Sequence, residues 1–209
     1  MNFQKILGFP LCYKMFTFIM GDNTFYPKYI NEYIRPKRGD RILDIGCGPA
    51  DILKYLSDVD YTGIDSNVRY IQSAQQKYGS KGRFLCSAVG EDVLSADSRF
   101  DIIMANGVLH HLNDEDAGAL FATAQQYLDP AGRLISYDGC RLEKQSLITR
   151  ALFSFDRGKF IRTRDGYMRL VPPCFSTQVT IRHDLTFFPF TIIIIECRKP
   201  DEQSDSCVA

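Results

Sequence analysis

Two rhythms of apolar residues alternate along the middle of this chain. Residues 41–45, 61–64, 83–88, 101–105 and 133–138 are short runs, mostly apolar on both sides, of the kind that forms strands buried on two faces. Between them, residues 50–56, 67–78 and 115–128 carry apolar positions at helical spacing. Strand following helix in this order predicts crossover connections and a mostly parallel sheet covered on both faces.

The two flanks break that rhythm. Phe16, Ile19 and Met20 fall at helical spacing, as do Tyr26, Tyr29, Ile30, Tyr33 and Ile34; Pro36 stops the second pattern and Lys37-Arg38-Gly39-Asp40 forms a polar turn. A helical cap over residues 1–38 is the expectation. Residues 142–163, rich in Leu, Phe and Arg, read as helices. Residues 177–185 and 187–198 are extended runs with a short link, so they pair most simply as an antiparallel hairpin. The expected organisation is the cap, one α/β domain over 39–199 with a helical insertion at 140–176, and a flexible polar tail at 200–209.

Composition narrows the class. The chain has 209 residues and 45% hydrophobic content, enough for one well-filled core. Lys plus Arg equals Asp plus Glu at 25 each, and zero net charge argues against salt-driven binding to nucleic acid. Seven cysteines, an odd number with no CxxC pair, argue against a disulfide framework or a zinc site and point to reduced thiols in the cytoplasm. The apolar stretch 9–20 is interrupted by Lys14 and lacks a small-residue cleavage site. The run Ile192-Ile193-Ile194-Ile195 lies in a segment far shorter than the roughly 20 residues of a spanning helix. No targeting segment and no stable membrane insertion are expected.

The chemistry concentrates at the ends of the runs. The first ends in Asp44-Ile45-Gly46-Cys47-Gly48, where glycine permits positive φ and lets a ligand approach the backbone. The second ends in Gly63-Ile64-Asp65, where a carboxylate can accept both hydroxyls of a ribose. A nicotinamide dinucleotide fits this outline, but its fingerprint requires a third glycine where this chain has Asp51, and Asp44 and Asp51 flank a turn that would have to hold a pyrophosphate. Acids here suit a cationic nucleoside cofactor, and S-adenosylmethionine carries both an ammonium and a sulfonium.

These segments, together with Phe100-Asp101-Ile102-Ile103-Met104-Ala105-Asn106-Gly107-Val108-Leu109-His110-His111-Leu112 and Leu128-Asp129-Pro130-Ala131-Gly132-Arg133-Leu134, resemble the class I S-adenosylmethionine-dependent methyltransferases. The resemblance covers roughly residues 39–138. It implies a Rossmann-like α/β fold: a mostly parallel seven-stranded sheet with a C-terminal antiparallel hairpin, helices on both faces and an N-terminal helical cap. It also implies that Gly46, Cys47 and Gly48 line the methionyl part of the cofactor with Asp44 near its ammonium. Asp65, with Ser66 beside it, would hold the ribose, and Asn106 and Gly107 would lie beside the sulfonium through their carbonyls. Asn67 or Val68 would touch the adenine edge. Relatives commonly place an acid just after the third strand to accept from the adenine amino group. Here the aligned residues are Ser87-Ala88-Val89-Gly90, so either the backbone of Ala88 or Val89 serves, the preferred reading, or Glu91 or Asp92 reaches back.

Candidates for chemistry on the acceptor follow. His110 and His111 stand at the end of the fourth run, where either can act as a general base; the structural alternative is that one caps the next helix and the other packs. Arg157 and Arg162 belong to a local basic cluster in the insertion and could grip an acceptor phosphate or carboxylate, unless they form a solvated helix face. Tyr26 and Tyr29 could form a lid over the acceptor, or simply pack. The expected function is methyl transfer to a small molecule, O-methylation favoured. A nicotinamide-dependent oxidoreductase and a non-catalytic cofactor-binding subunit are the alternatives.

Overall fold

The computed structural model describes residues 22–91, 93–146, 149, 153, 159–186 and 190–200. Helix α1 (Asp22–Tyr29) runs into a π-type turn (Ile30–Ile34). Then follow β1 (Arg41–Ile45), a 3-10 turn (Asp51–Lys54), β2 (Asp60–Asp65), α2 (Val68–Tyr78), β3 (Gly82–Cys86) and β4 (Phe100–Asn106). A second 3-10 turn (Leu109–His111) precedes α3 (Asp114–Tyr127), β5 (Leu128–Gly139), α4 (Arg164–Met168), β6 (Ser176–Arg182) and β7 (Ile192–Arg198). The strands form one sheet in the order β3-β2-β1-β4-β5-β7-β6. Pairing is parallel from β3 to β5, and β7 is antiparallel to both β5 and β6. The chain leaves β1 for β2 on one side and returns to β4 on the other. The carboxyl ends of β1 and β4 therefore flank the reversal of strand order, the place where open parallel sheets bind ligands.

Strand residues alternate between two cores. Ile42, Ile102, Met104, Ile135, Ile192 and Ile194 pack with α1 and α2, while Leu43, Ile103, Leu134, Ile193 and Ile195 pack with α3 and α4. The isoleucine run of β7 is a strand covered on both faces. Caps fix the helix starts: Asn67 Oδ1 accepts from Arg69 N and Asn113 Oδ1 from Asp116 N.

Two expectations need correction. The helix expected at 50–56 is only the single 3-10 turn, because Ala50 adopts left-handed φ (56°) and blocks helical continuation from the glycine turn. Within 142–163, residues 142–146 and 159–163 are not helical; Thr149 and Phe153 are helical and buried. Phe16, Ile19, Met20, Arg157 and the tail from 201 lie outside the described residues.

The cap is clamped to the far end of the sheet. Arg133 donates to the carbonyls of Ile34 and Arg35, Arg182 binds the Tyr33 hydroxyl and pairs with Glu32, and Lys28 and Arg35 pair with Asp184 and Glu196.

Candidate functional site

The glycine turn is built by tight backbone packing. Gly46 N and Cys47 N both donate to Ile64 O, at 2.7 and 3.0 Å, which draws the turn against β2. Gly46 (φ +72°) has no room for a side chain, since a Cβ there would lie 2.5 Å from Val108 Cγ2. Gly48 (φ +55°) has no atom of the described residues within 4 Å of a Cβ position. Cys47 lies half-buried between them, and burial reinforced by Asp44 and Asp65 pushes its thiol far above the ordinary range, so it is no nucleophile.

Three polar groups converge at the ends of β1, β2 and β4. Asp44 is buried; Tyr61 donates its hydroxyl to Oδ2 at 2.7 Å, and Oδ1 has no hydrogen-bond partner among the described residues. Burial, with a smaller push from Asp65, raises the Asp44 carboxyl to about 7 against the pull of Tyr61. Asp65 accepts from Gly48 N (2.9 Å) and Asn67 N (2.7 Å), one per oxygen, and keeps further lone pairs for hydroxyls. Burial raises its pKa while those two N–H groups oppose the rise. Asn106 accepts the Tyr29 hydroxyl at 2.7 Å, and Gly107 (φ +67°) is pinned to Tyr137 O at 2.7 Å.

The histidines separate in role. His110 is buried, and Asp138 Oδ1 meets both its Nδ1 (2.6 Å) and its backbone N (3.0 Å). His111 is exposed, its ring centroid 4.1 Å from that of His110. In the turn after β3, Glu91 turns back and its Oε2 accepts from Ser87 Oγ (2.6 Å) and Ala88 N (3.0 Å). The Ala88 carbonyl in turn accepts from Ser87 Oγ (3.1 Å) and Glu91 N (3.4 Å), so Ser87, Ala88 and Glu91 close one compact turn. Val89 packs into the core beneath, and Ser66 is exposed beside Asp65.

Two acceptor candidates are placed differently from expectation. Arg162 is largely buried and spends its guanidinium on the carbonyls of Leu109, Leu112 and Phe160 and on Asp114, at 2.7 to 3.1 Å. It braces the loop around His110, so an anion-gripping role does not fit. Tyr29 is 0% exposed under the sheet end, stacked on Phe25 and edge-on to Tyr137, and cannot act as a lid. Tyr26 is half-buried against Phe25 and Tyr55. Sequence reasoning missed Asp138 and Tyr61; the available signal was an acid closing β5 and a tyrosine two places ahead of Gly63 on the Asp65 face.

A methyltransferase-domain family model matches residues 42–132, the segment holding the glycine turn, Asp65, Asn106 and the two histidines. A solved S-adenosylmethionine-dependent methyltransferase from Methanosarcina mazei superposes with a TM-score of 0.65 at 19% identity, covering 79% of this chain and 95% of that one. Residues 42–132 are a methyltransferase domain, and the fold is that of the class I S-adenosylmethionine-dependent methyltransferases. Phosphoethanolamine N-methyltransferase 3 of Arabidopsis thaliana is 30% identical over 144 residues, 65% of this chain and 28% of that protein. A ubiquinone biosynthesis O-methyltransferase of Azorhizobium caulinodans is 31% identical over 107 residues, 49% of this chain and 41% of that protein. The chain thus spans well under half the length of these curated relatives.

The residues present fit this family's cofactor. A buried carboxylate oxygen without a donor calls for a cation or a proton, and the methionyl ammonium is a cation. The space at Gly48 accepts a ligand against the backbone. A dinucleotide fits less well: a pyrophosphate needs a helix N-terminus after β1, and the chain forms one 3-10 turn there. Asp51 is paired with Lys77 at 2.9 Å, so the electrostatic case against a pyrophosphate rests on Asp44.

Proposed function

We propose that this methyltransferase transfers a methyl group to a small-molecule acceptor, with oxygen the favoured acceptor atom. The observation that carries the reading is the buried contact between His110 and Asp138 at the ends of β4 and β5. With Nδ1–H directed at the carboxylate, Nε2 is the basic nitrogen. A hydroxyl becomes a competent nucleophile as its proton leaves, so His110 takes that proton while Asp138 stabilises the resulting imidazolium. His111, exposed beside it, is the second candidate. N-methylation is the other reading, favoured by the N-methyltransferase among the relatives, since an ammonium acceptor must also lose a proton.

When bound, S-adenosylmethionine supplies an electrophilic methyl carbon on a cationic sulfur. Asp65 holds the ribose hydroxyls, Gly46 and Gly48 line the methionyl portion, Asp44 faces the ammonium, and the Asn106 and Gly107 carbonyls favour the sulfonium. Glu91 accepts from the adenine edge beside Ala88 and Val89. Tyr26 is the cap side chain assigned to the acceptor. Zero net charge supports a small acceptor over nucleic acid, and the cysteine usage supports the cytoplasm.

The test is release of S-adenosylhomocysteine from panels of phenols, aliphatic alcohols and amines. Turnover on hydroxyl acceptors is expected, with a loss of about 100-fold or more in His110→Ala and S-adenosylhomocysteine affinity kept. Turnover on amines alone would move the acceptor atom to nitrogen. Full turnover by His110→Ala would remove its role as base.

A further inference from the structure

A carboxamide can present either its carbonyl or its amino group, and in a buried site its neighbours decide which. At Asn106 the neighbour is Tyr29, whose hydroxyl donates to Oδ1 at 2.7 Å. Burial, reinforced by the charges of Asp44 and Asp138, holds the Tyr29 phenol firmly protonated. That proton requires an acceptor, because leaving a buried donor unmade costs roughly 1–3 kcal/mol. Oδ1 is therefore taken, and Nδ2 is the end that faces elsewhere. Nδ2 is buried and has no hydrogen-bond partner among the described residues.

The position of this orphaned donor gives it meaning. Asn106 closes β4, two residues beyond Met104, which is in register with Asp44 of β1. Strand alternation puts Asn106 and Asp44 on the same face of adjacent strands, at the end where ligands bind. Among the described residues, Asp44 Oδ1 is an acceptor without a donor, and Asn106 Nδ2 a donor without an acceptor. Such a pair complements a zwitterion, with an ammonium at the aspartate and a carboxylate at the amide.

We propose that Tyr29 is a positioning residue that fixes the Asn106 carboxamide with Nδ2 turned toward the binding site, where it donates to the carboxylate of the cofactor's amino-acid moiety. The assignment rests on the cofactor reading above and extends it. It gives the cap helix a part in cofactor recognition, exerted through a strand residue 77 positions away.

Isothermal titration with two ligands tests it. S-adenosylhomocysteine carries the amino-acid moiety; 5′-methylthioadenosine shares the nucleoside and thioether but lacks that moiety. Tyr29→Phe and Asn106→Ala are each expected to weaken S-adenosylhomocysteine about 10- to 100-fold, the range of a hydrogen bond to a charged group. Both should bind methylthioadenosine within about twofold of wild type, which also shows that the variants are folded. The double variant should bind S-adenosylhomocysteine no worse than Asn106→Ala, because Tyr29 acts through Asn106. Equal loss of both ligands would reduce Tyr29 to a structural role and overturn the proposal. So would unchanged S-adenosylhomocysteine affinity in Tyr29→Phe, or additive losses in the double variant. Failure of the wild-type protein to bind S-adenosylhomocysteine would instead overturn the cofactor reading beneath it.

Discussion

One oxygen of Asp65 accepts the backbone N–H of Gly48 at 2.9 Å, so the last residue of β2 holds the glycine turn that follows β1. Its other oxygen holds Asn67 N and thereby the start of α2. A single carboxylate thus ties the glycine turn to the start of α2. Asp65→Ala should lower S-adenosylhomocysteine affinity at least about 10-fold and cost roughly 1–3 kcal/mol in stability. Calorimetric titration and urea unfolding check the two parts.

The two turn glycines should fail in different ways. Gly46→Ala drives a Cβ into Val108 Cγ2 and strains a positive φ, for a loss of roughly 2–4 kcal/mol. Val108→Ala in the same chain should recover part of it. Gly48→Ala meets no atom of the described residues, so its cost is roughly 1–2 kcal/mol of backbone strain, while its methyl would occupy the space proposed for the methionyl group. Urea midpoints should fall more for Gly46→Ala, whereas Gly48→Ala should weaken ligand binding beyond what its stability loss explains.

Asp44 makes the empty and loaded forms respond oppositely to pH. Its carboxyl is raised from an ordinary 3.8 to about 7 by burial, with Tyr61 and Asp65 facing it. Between about pH 4 and 7 the folded chain keeps a proton that the unfolded chain has lost. The stability this group contributes is full below about pH 4 and disappears as pH rises through 7. The ionised form is the one that pairs with an ammonium. Relative to Asp44→Asn, the ligand-free wild type should lose stability across that window while its S-adenosylhomocysteine affinity climbs. Thermal melts and titrations at pH 5, 6, 7 and 8 read both trends; parallel pH curves for the two proteins would contradict the assignment.

Much of this was legible because buried parallel strands announce themselves. β1 matches its apolar run residue for residue, and the β-branched segment near the end is the expected antiparallel partner of β6. Less legible was anything that depends on who sits opposite. The apolar spacing of Ile52, Leu53 and Leu56 resembled a helix, yet all three pack from a 3-10 turn and its exit. Asp138 lies 28 residues from His110 and meets it only because β4 and β5 are neighbours. A basic cluster in sequence cannot distinguish a guanidinium that awaits an anion from one already surrounded by carbonyls, which is the case for Arg162.

Arg162→Ala should act on folding. It strips donors from three backbone carbonyls and Asp114, and a loss of roughly 2–4 kcal/mol is expected. Arg162→Lys should restore only part, lacking the planar fork. Unchanged urea midpoints together with a raised KM for the acceptor would return Arg162 to the substrate.

The clamp on the cap also sets an order of assembly. The cap that delivers Tyr29 is tied through Lys28, Glu32 and Arg35 to Asp184, Arg182 and Glu196, all made after the five parallel strands. On a ribosome the glycine turn, Asp65 and Asn106 emerge and can pair while the cap still lacks these anchors. Arg133 and Tyr137 of β5 meet the cap earlier, so a nascent chain halted before the hairpin would carry the glycine turn, Asp65 and Asn106 with its cap held by those contacts alone, and the ion pairs to the hairpin would lock it last.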